Sequence, residues 1–346
     1  MNIFVLHCGG TISCRINGEG YLTPSSDMKK MFSEISKEFG DITFTHGKVR
    51  LFLSEYLNGS KLNSIISAVK NAVDSGNYDG ITVTLGSDTE AYAAAAIGYF
   101  FGNNSIPIVT VSSDLPAEFP GSTALLHLRA AAALIYCGNL RGVYSVSADS
   151  DKSVRVNRAT RLIRRLKNPD GVFSAGSEYG KISFPESGLP FFSKNPIYSE
   201  TESDAVLRCP EFGVNSPVMH ITVTPGMIYP RPPSSVKSVI LGAYHSGTLD
   251  TESRKTEKFA KLCKKKNITV FTDSTGTGSD YLSTKKFSQL GFFRLPPDVS
   301  AAAFYMKLWI LAERKDPETV RQVYTSYAGD IPPINITDQG GENNGR

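Results

Sequence analysis

A chain of 346 residues is long enough for about two domains of roughly 150 residues each. At 40% hydrophobic and 20% charged residues it is too apolar for a disordered protein, and no stretch approaches the roughly 20 apolar residues of a membrane span. Lys+Arg 37 against Asp+Glu 33 leaves +4, too small a surplus to mark a nucleic-acid binder, so nucleic acid is not an expected partner. Short apolar runs at 3–6, 49–53, 81–85, 108–111 and 143–146 read as buried strands, the first of them too short and too lightly flanked for a leader peptide. Between them, Leu62, Ile65, Ile66, Val69 and Val73 recur at helical spacing, and the Ala-rich stretches 89–101 and 124–136 read as helices that pack closely on a sheet. This alternation predicts βαβ units and a parallel sheet. The stretch 185–213 is rich in Pro, Ser, Glu and Asn and reads as a linker. Strands at 218–223, 238–241 and 268–271 then alternate with helices at 251–265, 280–290 and 300–314, and Pro317 suits the first turn of a last helix. The expected organisation is an N-terminal α/β domain over 1–185, a linker over 186–213, a smaller α/β domain over 214–337 and a flexible tail over 338–346.

Five scattered cysteines (8, 14, 137, 209, 263) form no framework and no CxxC pair, which points to reduced thiols in the cytoplasm. The five histidines have no ligand spacing, so neither a metal nor another cofactor is expected.

Ligands of open parallel sheets bind beyond the carboxyl ends of the strands. Four consecutive strand ends carry small hydroxyls and carboxylates: Gly9-Gly10-Thr11, Ser54-Glu55, Gly86-Ser87-Asp88 and Ser112-Ser113-Asp114. Any one of them reads equally as a helix cap, Asp88 above all. Together, two of them with glycines that admit a ligand to the backbone, they suggest a site for a polar small molecule. The spacings of dinucleotide and phosphate loops are missing. Hydroxyls without a neighbouring His suggest a Thr or Ser nucleophile, here Thr11, activated by a phenol or carboxylate; Tyr21 is near enough in sequence to fold back onto it.

These residues resemble the L-asparaginase family, which includes bacterial asparaginases, glutaminase-asparaginases and the related subunit of archaeal tRNA-dependent amidotransferases. The family's TGGTI is Cys8-Gly9-Gly10-Thr11-Ile12 here, and its HGTDT is Leu85-Gly86-Ser87-Asp88-Thr89. Arg141-Gly142-Val143, Asp149, Gly180-Lys181-Ile182, Pro225-Gly226, Gly291-Phe292, Asp298-Val299-Ser300 and Lys307-Leu308-Trp309 follow in family order. The resemblance implies a two-domain asparaginase-like α/β fold with a parallel-sheet N-terminal domain. It implies hydrolysis of the side-chain amide of asparagine, or a related amide, to the acid and ammonia. Thr11 falls at the nucleophile, Tyr21 at the residue that orients it, and Ser87 and Asp88 at the second half of the catalytic site. Ser54 falls at the serine that binds the substrate's α-carboxylate, and Asp88 also at the aspartate that holds its ammonium. Gly10, Glu55, Gly86 and Ser113 complete the expected substrate-binding set. The family also implies a homo-oligomer, a dimer or tetramer.

The chain departs from the pattern in four places. Leu85 replaces the family's His, and Ser87 its Thr. The lysine that follows the Arg-Gly-Val strand in the family falls at Ala159, with Arg158 beside it as a possible replacement that holds an anion but cannot accept a proton. The family's second-domain acid is not evident in 280–287. Two alternatives therefore stand beside the hydrolase: an impaired asparaginase-fold protein that binds a ligand or partner, and an ammonia-supplying amidotransferase subunit. Arg155, Arg158, Arg161, Arg164, Arg165 and Lys167 make the region of the missing lysine basic, either as a solvated edge or as an anion site.

Overall fold

A computed structural model describes residues 1–25, 28–150, 153–163, 178–199, 205–273, 281–296 and 298–333. The expected tail at 338–346, with Arg164, Arg165 and Lys167, lies outside the described residues. The N-terminal strands are β1 (Asn2–Gly9), β2 (Cys14–Ile16), β3 (Leu22–Pro24), β4 (Thr43–Phe52), β5 (Gly80–Thr84), β6 (Pro107–Val111), β7 (Gly142–Ser150), β8 (Ser153–Arg158), β9 (Gly180–Ser183) and β10 (Phe191–Lys194). All but β2 and β3, which pair as a hairpin, join one sheet in the order β10-β9-β8-β7-β6-β5-β1-β4. From β4 to β7 the pairing is parallel, as the apolar runs predict. From β7 to β10 it is antiparallel.

Helices cover both faces. On one side lie α1 (Lys29–Phe39) and α4 (Ala124–Cys137), packed on Ile3, Val5, Val109 and Val111. On the other lie α2 (Gly59–Ser75) and α3 (Glu90–Phe101), packed on Leu6, Ile81, Val83 and Ile108. Odd and even residues of each strand feed different cores, so these strands read as continuous apolar runs.

The second sheet holds β11 (Val218–Thr222), β12 (Ser238–Gly242), β13 (Thr269–Asp273) and β14 (Phe292–Arg294), all parallel in that order. Helix α5 (Arg254–Lys265) and the short α6 (Leu282–Lys285) and α7 (Phe287–Leu290) serve its outer side. Helix α8 (Ala301–Glu313) lies between the sheets, sharing one core with α2, α3 and the inner face of the second sheet; α9 (Thr319–Val323) follows it. Buried on nearly every side, α3 has no polar stripe, and its alanines and glycine allow the close approach. A Cβ at Gly98 would come within 2.8 Å of the Thr160 side chain.

Part of the stretch read as a linker is ordered sheet and packed coil. Phe191–Lys194 is the edge strand β10, and Leu207, Cys209 and Phe212 are buried in the shared core. Leu207 N–H donates to the Tyr99 carbonyl at 2.9 Å and Arg208 Nε to the Phe100 carbonyl at 2.7 Å. The polar residues between those anchors hide them in the sequence. The segment between the two sheets is 195–217.

Candidate functional site

Strand order brings the carboxyl ends of β4, β1, β5 and β6 side by side. Glycine lets three of the loops touch. Gly10 has φ +76°, and a Cβ there would stand 2.3 Å from the Gly86 Cα. One on Gly86 would stand 2.4 Å from the Ser54 hydroxyl, and one on Gly9, at φ +100°, 2.3 Å from the Phe52 carbonyl. Gly10 N–H donates to that same carbonyl at 2.9 Å. The glycines of the first and second motifs are thus the contact surface of the loops, a role only a residue without a Cβ fills.

Thr11 opens a single 3-10 turn, Thr11–Ser13, and is half-buried. The Gly10 carbonyl anchors the turn, accepting Ser13 N–H at 3.1 Å, the Ser13 hydroxyl at 3.2 Å and the Cys14 thiol at 3.2 Å. Burial, helped by the Glu55 charge, pushes the Cys14 thiol up, so at neutral pH this sulfur stays protonated and does not compete as a nucleophile. Glu55 itself is exposed.

Ser87 is half-buried and Asp88 exposed, in the loop that leads into α3. Ser54 is 4% exposed and its hydroxyl is engaged by Thr89. It accepts Thr89 N–H at 3.1 Å and meets Thr89 Oγ1 at 3.0 Å, while Thr89 Oγ1 lies 3.1 Å from the Ser54 carbonyl. Thr89 has one hydroxyl proton. If it goes to the carbonyl, the Ser54 O–H donates to Thr89 Oγ1. Ser113, fully buried, donates to the Leu115 carbonyl at 2.8 Å and meets the Ser122 hydroxyl at 3.2 Å, which ties its own loop.

Tyr21 does not fold back. It stands at the tip of the β2–β3 hairpin, 68% exposed, where Asn17 Oδ1 accepts its N–H at 2.9 Å. The base of the hairpin is fixed: Ala117 N–H reaches the Ile12 carbonyl at 3.3 Å, and Arg15 pairs with Glu118 at 2.7 Å.

Arg158 is not brought to this end of the sheet. β8 runs antiparallel to β7, so it carries Arg158 back to the level of Tyr144, near the start of β7. There its guanidinium lies over the Tyr144 and Tyr179 rings at 4.7 and 5.0 Å, with Nη1 on the Arg141 carbonyl at 3.3 Å. Ala159 is buried in the turn that packs on α3, and Leu85, where the family has His, is 2% exposed in the core.

Glu90 is a site residue that the sequence does not reveal. In the first turn of α3, a Glu passes for a residue that favours a helix N-terminus. Here it is 2% exposed, and its carboxylate accepts hydroxyls from β6 and β7 and the residue after β6: Ser145 at 2.7 Å, Thr110 at 3.5 Å and Ser112 in a short contact. His127 secures the same strand ends. Its Nε2 accepts Ala148 N–H at 2.8 Å, so Nδ1 carries the proton and donates to the Ser112 carbonyl at 2.8 Å. No metal-holding cluster of His, Cys, Asp and Glu occurs among the described residues. Among them, too, no helix is long and apolar enough to cross a membrane.

The family model "Asparaginase, N-terminal" matches residues 2–169. The chain is 26% identical over 345 residues to the L-asparaginase of Thermococcus kodakarensis, covering 96% of this chain and 99% of that protein. It is 22% identical over 343 residues to a glutamyl-tRNA(Gln) amidotransferase subunit from Haloquadratum walsbyi, covering 95% of this chain and 75% of that one. Among solved structures, the thermostable L-asparaginase from Thermococcus kodakarensis superposes with a TM-score of 0.74 at 22% identity, over 96% of this chain and 100% of that one. L-asparaginase I from Vibrio cholerae gives 0.72 at 17% identity, over 96% and 99%. These structural likenesses establish the fold.

Proposed function

The N-terminal domain of this chain belongs to the asparaginase family, and from that premise we propose that the protein hydrolyses the side-chain amide of asparagine, or a close relative, at the glycine-cradled strand ends. The observation that carries the reading is the close approach of Gly10 to the Gly86 backbone and of Gly86 to the Ser54 side chain, which supports one site built from Thr11 on one loop and Ser87–Asp88 on the next. Thr11 Oγ attacks the amide carbonyl carbon and its proton passes to the leaving nitrogen. Ammonia departs, an ester to Thr11 remains, and water hydrolyses it to the acid. Asp88, exposed beside Thr89, holds the substrate's ammonium; Ser54 turns its O–H from Thr89 Oγ1 to the substrate's carboxylate while still accepting Thr89 N–H. Tyr21 reaches Thr11 only when the hairpin bends inward over bound substrate. Gly10, Gly86 and Glu55 border the substrate in this reading, and buried Ser113 acts by holding the loop after β6. In this reading the enzyme is a homo-oligomer that works in the cytoplasm, where its five cysteines stay as free thiols.

Ammonia release from asparagine, glutamine and short amides tests the proposal. The wild-type chain releases ammonia and Thr11→Ala does not; no release above that variant sinks the hydrolase.

A binding protein without turnover is the second reading. It draws on Leu85 in place of the ring and on Arg158 lying at the other end of the sheet. It predicts calorimetric binding of asparagine that Thr11→Ala retains, without turnover in either form. The resemblance to the Haloquadratum amidotransferase protein keeps a third reading, and ammonia release that requires tRNA and a partner enzyme would select it.

A further inference from the structure

The described part of the basic run, Arg155, Arg158 and Arg161, is engaged by the fold. Arg155 pairs with Glu178 at 3.4 Å, Arg158 stacks on two tyrosines, and Arg161 is 1% exposed with Nε on the Gly329 carbonyl at 2.7 Å. A denser run of positive charge lies in the second half of the sequence. From Arg254 to Lys266 there are seven cations against one acid, Glu257, a net +6 in thirteen residues. The whole chain is +4, so everything outside α5 and its last turn sums to −2.

The helix explains why this charge is displayed. Thr256, Phe259, Ala260 and Cys263 fall on one side and enter the core of the second domain. Every remaining position but Glu257 and Leu262 is a cation facing outward. Lys261 pairs with Glu257 at 2.6 Å, and Lys266 donates to the Pro232 carbonyl at 2.5 Å. Lys258, Lys264 and Lys265 are exposed and make no ion pair among the described residues. The groove of about 510 Å³ between α5 and the α6–α7 segment is not part of that surplus, because Glu252 and Glu257 line it with Lys261, Lys264 and Lys286 and pair with Lys286 and Lys261; the unpaired charge is on the outward face at Lys258, Lys264 and Lys265. It lies on the outer side of the second sheet, away from Thr11.

We infer that this face of α5 docks the phosphate backbone of base-paired nucleic acid. Lysines on flexible stems suit phosphate contacts that ignore sequence. Stacking on unpaired bases needs exposed aromatics, and α5 has none, its Phe259 being buried. A helix that lies in a lipid surface inserts its apolar face, but here that face is already packed in the protein core. An overall +4 is too small to mark a nucleic-acid binder, but +6 concentrated on one helix is not. The inference is independent of the hydrolytic reading.

The test is fluorescence anisotropy of a labelled RNA duplex of roughly 20 base pairs with the full chain, between about 50 and about 200 mM salt. Three variants enter: wild type, the triple Lys258→Glu/Lys264→Glu/Lys265→Glu, and a matched triple on the first domain, Lys30→Glu/Lys37→Glu/Lys48→Glu. Thermal melts check that each is folded. The duplex binds the wild type with a dissociation constant that rises with salt. The α5 triple weakens binding at least about tenfold and flattens the salt slope by about 2, whereas the first-domain triple changes it less than about threefold. Equal weakening by both triples, or no binding at the low salt, overturns the inference. So does binding only to vesicles containing phosphatidylserine, or stronger binding to single-stranded RNA of the same length.

Discussion

The two ends of α3 carry polar clusters built on opposite terms. At its C-terminal end the Tyr99 hydroxyl lies 2.9 Å from Asp330 Oδ2, which also meets Lys307 Nζ at 2.7 Å. Lys307 spends its other donors on the Val323 and Thr325 carbonyls, at 3.2 and 2.7 Å. Lys307 and Asp330 are each 0% exposed. At the N-terminal end Thr89 and Ser54 satisfy each other, but Ser87 is half-buried and Asp88 opens to water. A buried cluster with every valence met holds a chain segment in place. One whose carboxylate faces solvent beside tightly packed backbone has capacity left for a ligand.

The largest expected effect comes from breaking the closed cluster. Asp330→Ala leaves the Lys307 ammonium without its counter-charge, and burial already pushes that amine down, with Asp330 only partly offsetting it. Removing one partner of a buried pair costs about 3–5 kcal/mol. Equilibrium denaturation should show that loss for Asp330→Ala. A loss below about 1 kcal/mol would mean that the two clusters do not differ as their burial says.

How far the sequence foretells these two ends differs as well. The parallel strands are legible because strands buried on both faces are short apolar runs, and the cradle is legible because glycines after a strand have few other uses. The antiparallel strands are not. Val154, Val156 and Ile182 face one core while Arg155, Asn157 and Lys181 face the other way, so a two-faced ladder reads in the sequence as a basic patch. The reversal after β7 also sends Arg158 away from the site, which distance along the chain conceals. Glu90 and the closed cluster stay hidden because their partners come from other elements: hydroxyls on β6 and β7, and the segment after α9.

A buried histidine on the strand that feeds Thr11, paired with an exposed one, sharpens the comparison through pH. His7 on β1 meets His46 on β4 at 3.0 Å, with the Phe32 ring edge-on to both. Burial first, and His46 second, push the His7 imidazole down from 6.5 to about 4. The fold therefore holds it neutral while the unfolded chain takes up a proton below pH 6.5. The native state binds fewer protons, so stability falls as pH drops from about 6.5 to about 4, by about 3 kcal/mol in total. Urea midpoints for wild type and His7→Phe across that window provide the measurement. The variant's profile should be flatter by that amount, and parallel profiles would remove His7 from the acid response.

The smallest expected effect tests the open end itself. Ser54→Ala deletes the acceptor of Thr89 N–H and the partner of its hydroxyl, a loss of about 1 kcal/mol in stability. A latch that only holds the turn would show that loss and leave the KM for asparagine unchanged. A hydroxyl that turns to the substrate's carboxylate raises KM by about tenfold, the equivalent of one charge-assisted hydrogen bond. Thr89→Val separates the two. It removes Thr89 Oγ1 but leaves the N–H for Ser54 to accept, and it frees the Ser54 O–H to meet substrate without exchange. The expected pattern is a raised KM in Ser54→Ala and a KM in Thr89→Val no higher than wild type, with the two single variants similarly destabilised. A KM raised equally in both would make Ser54 part of the helix latch and leave Asp88 as the ligand-facing group at this end of α3.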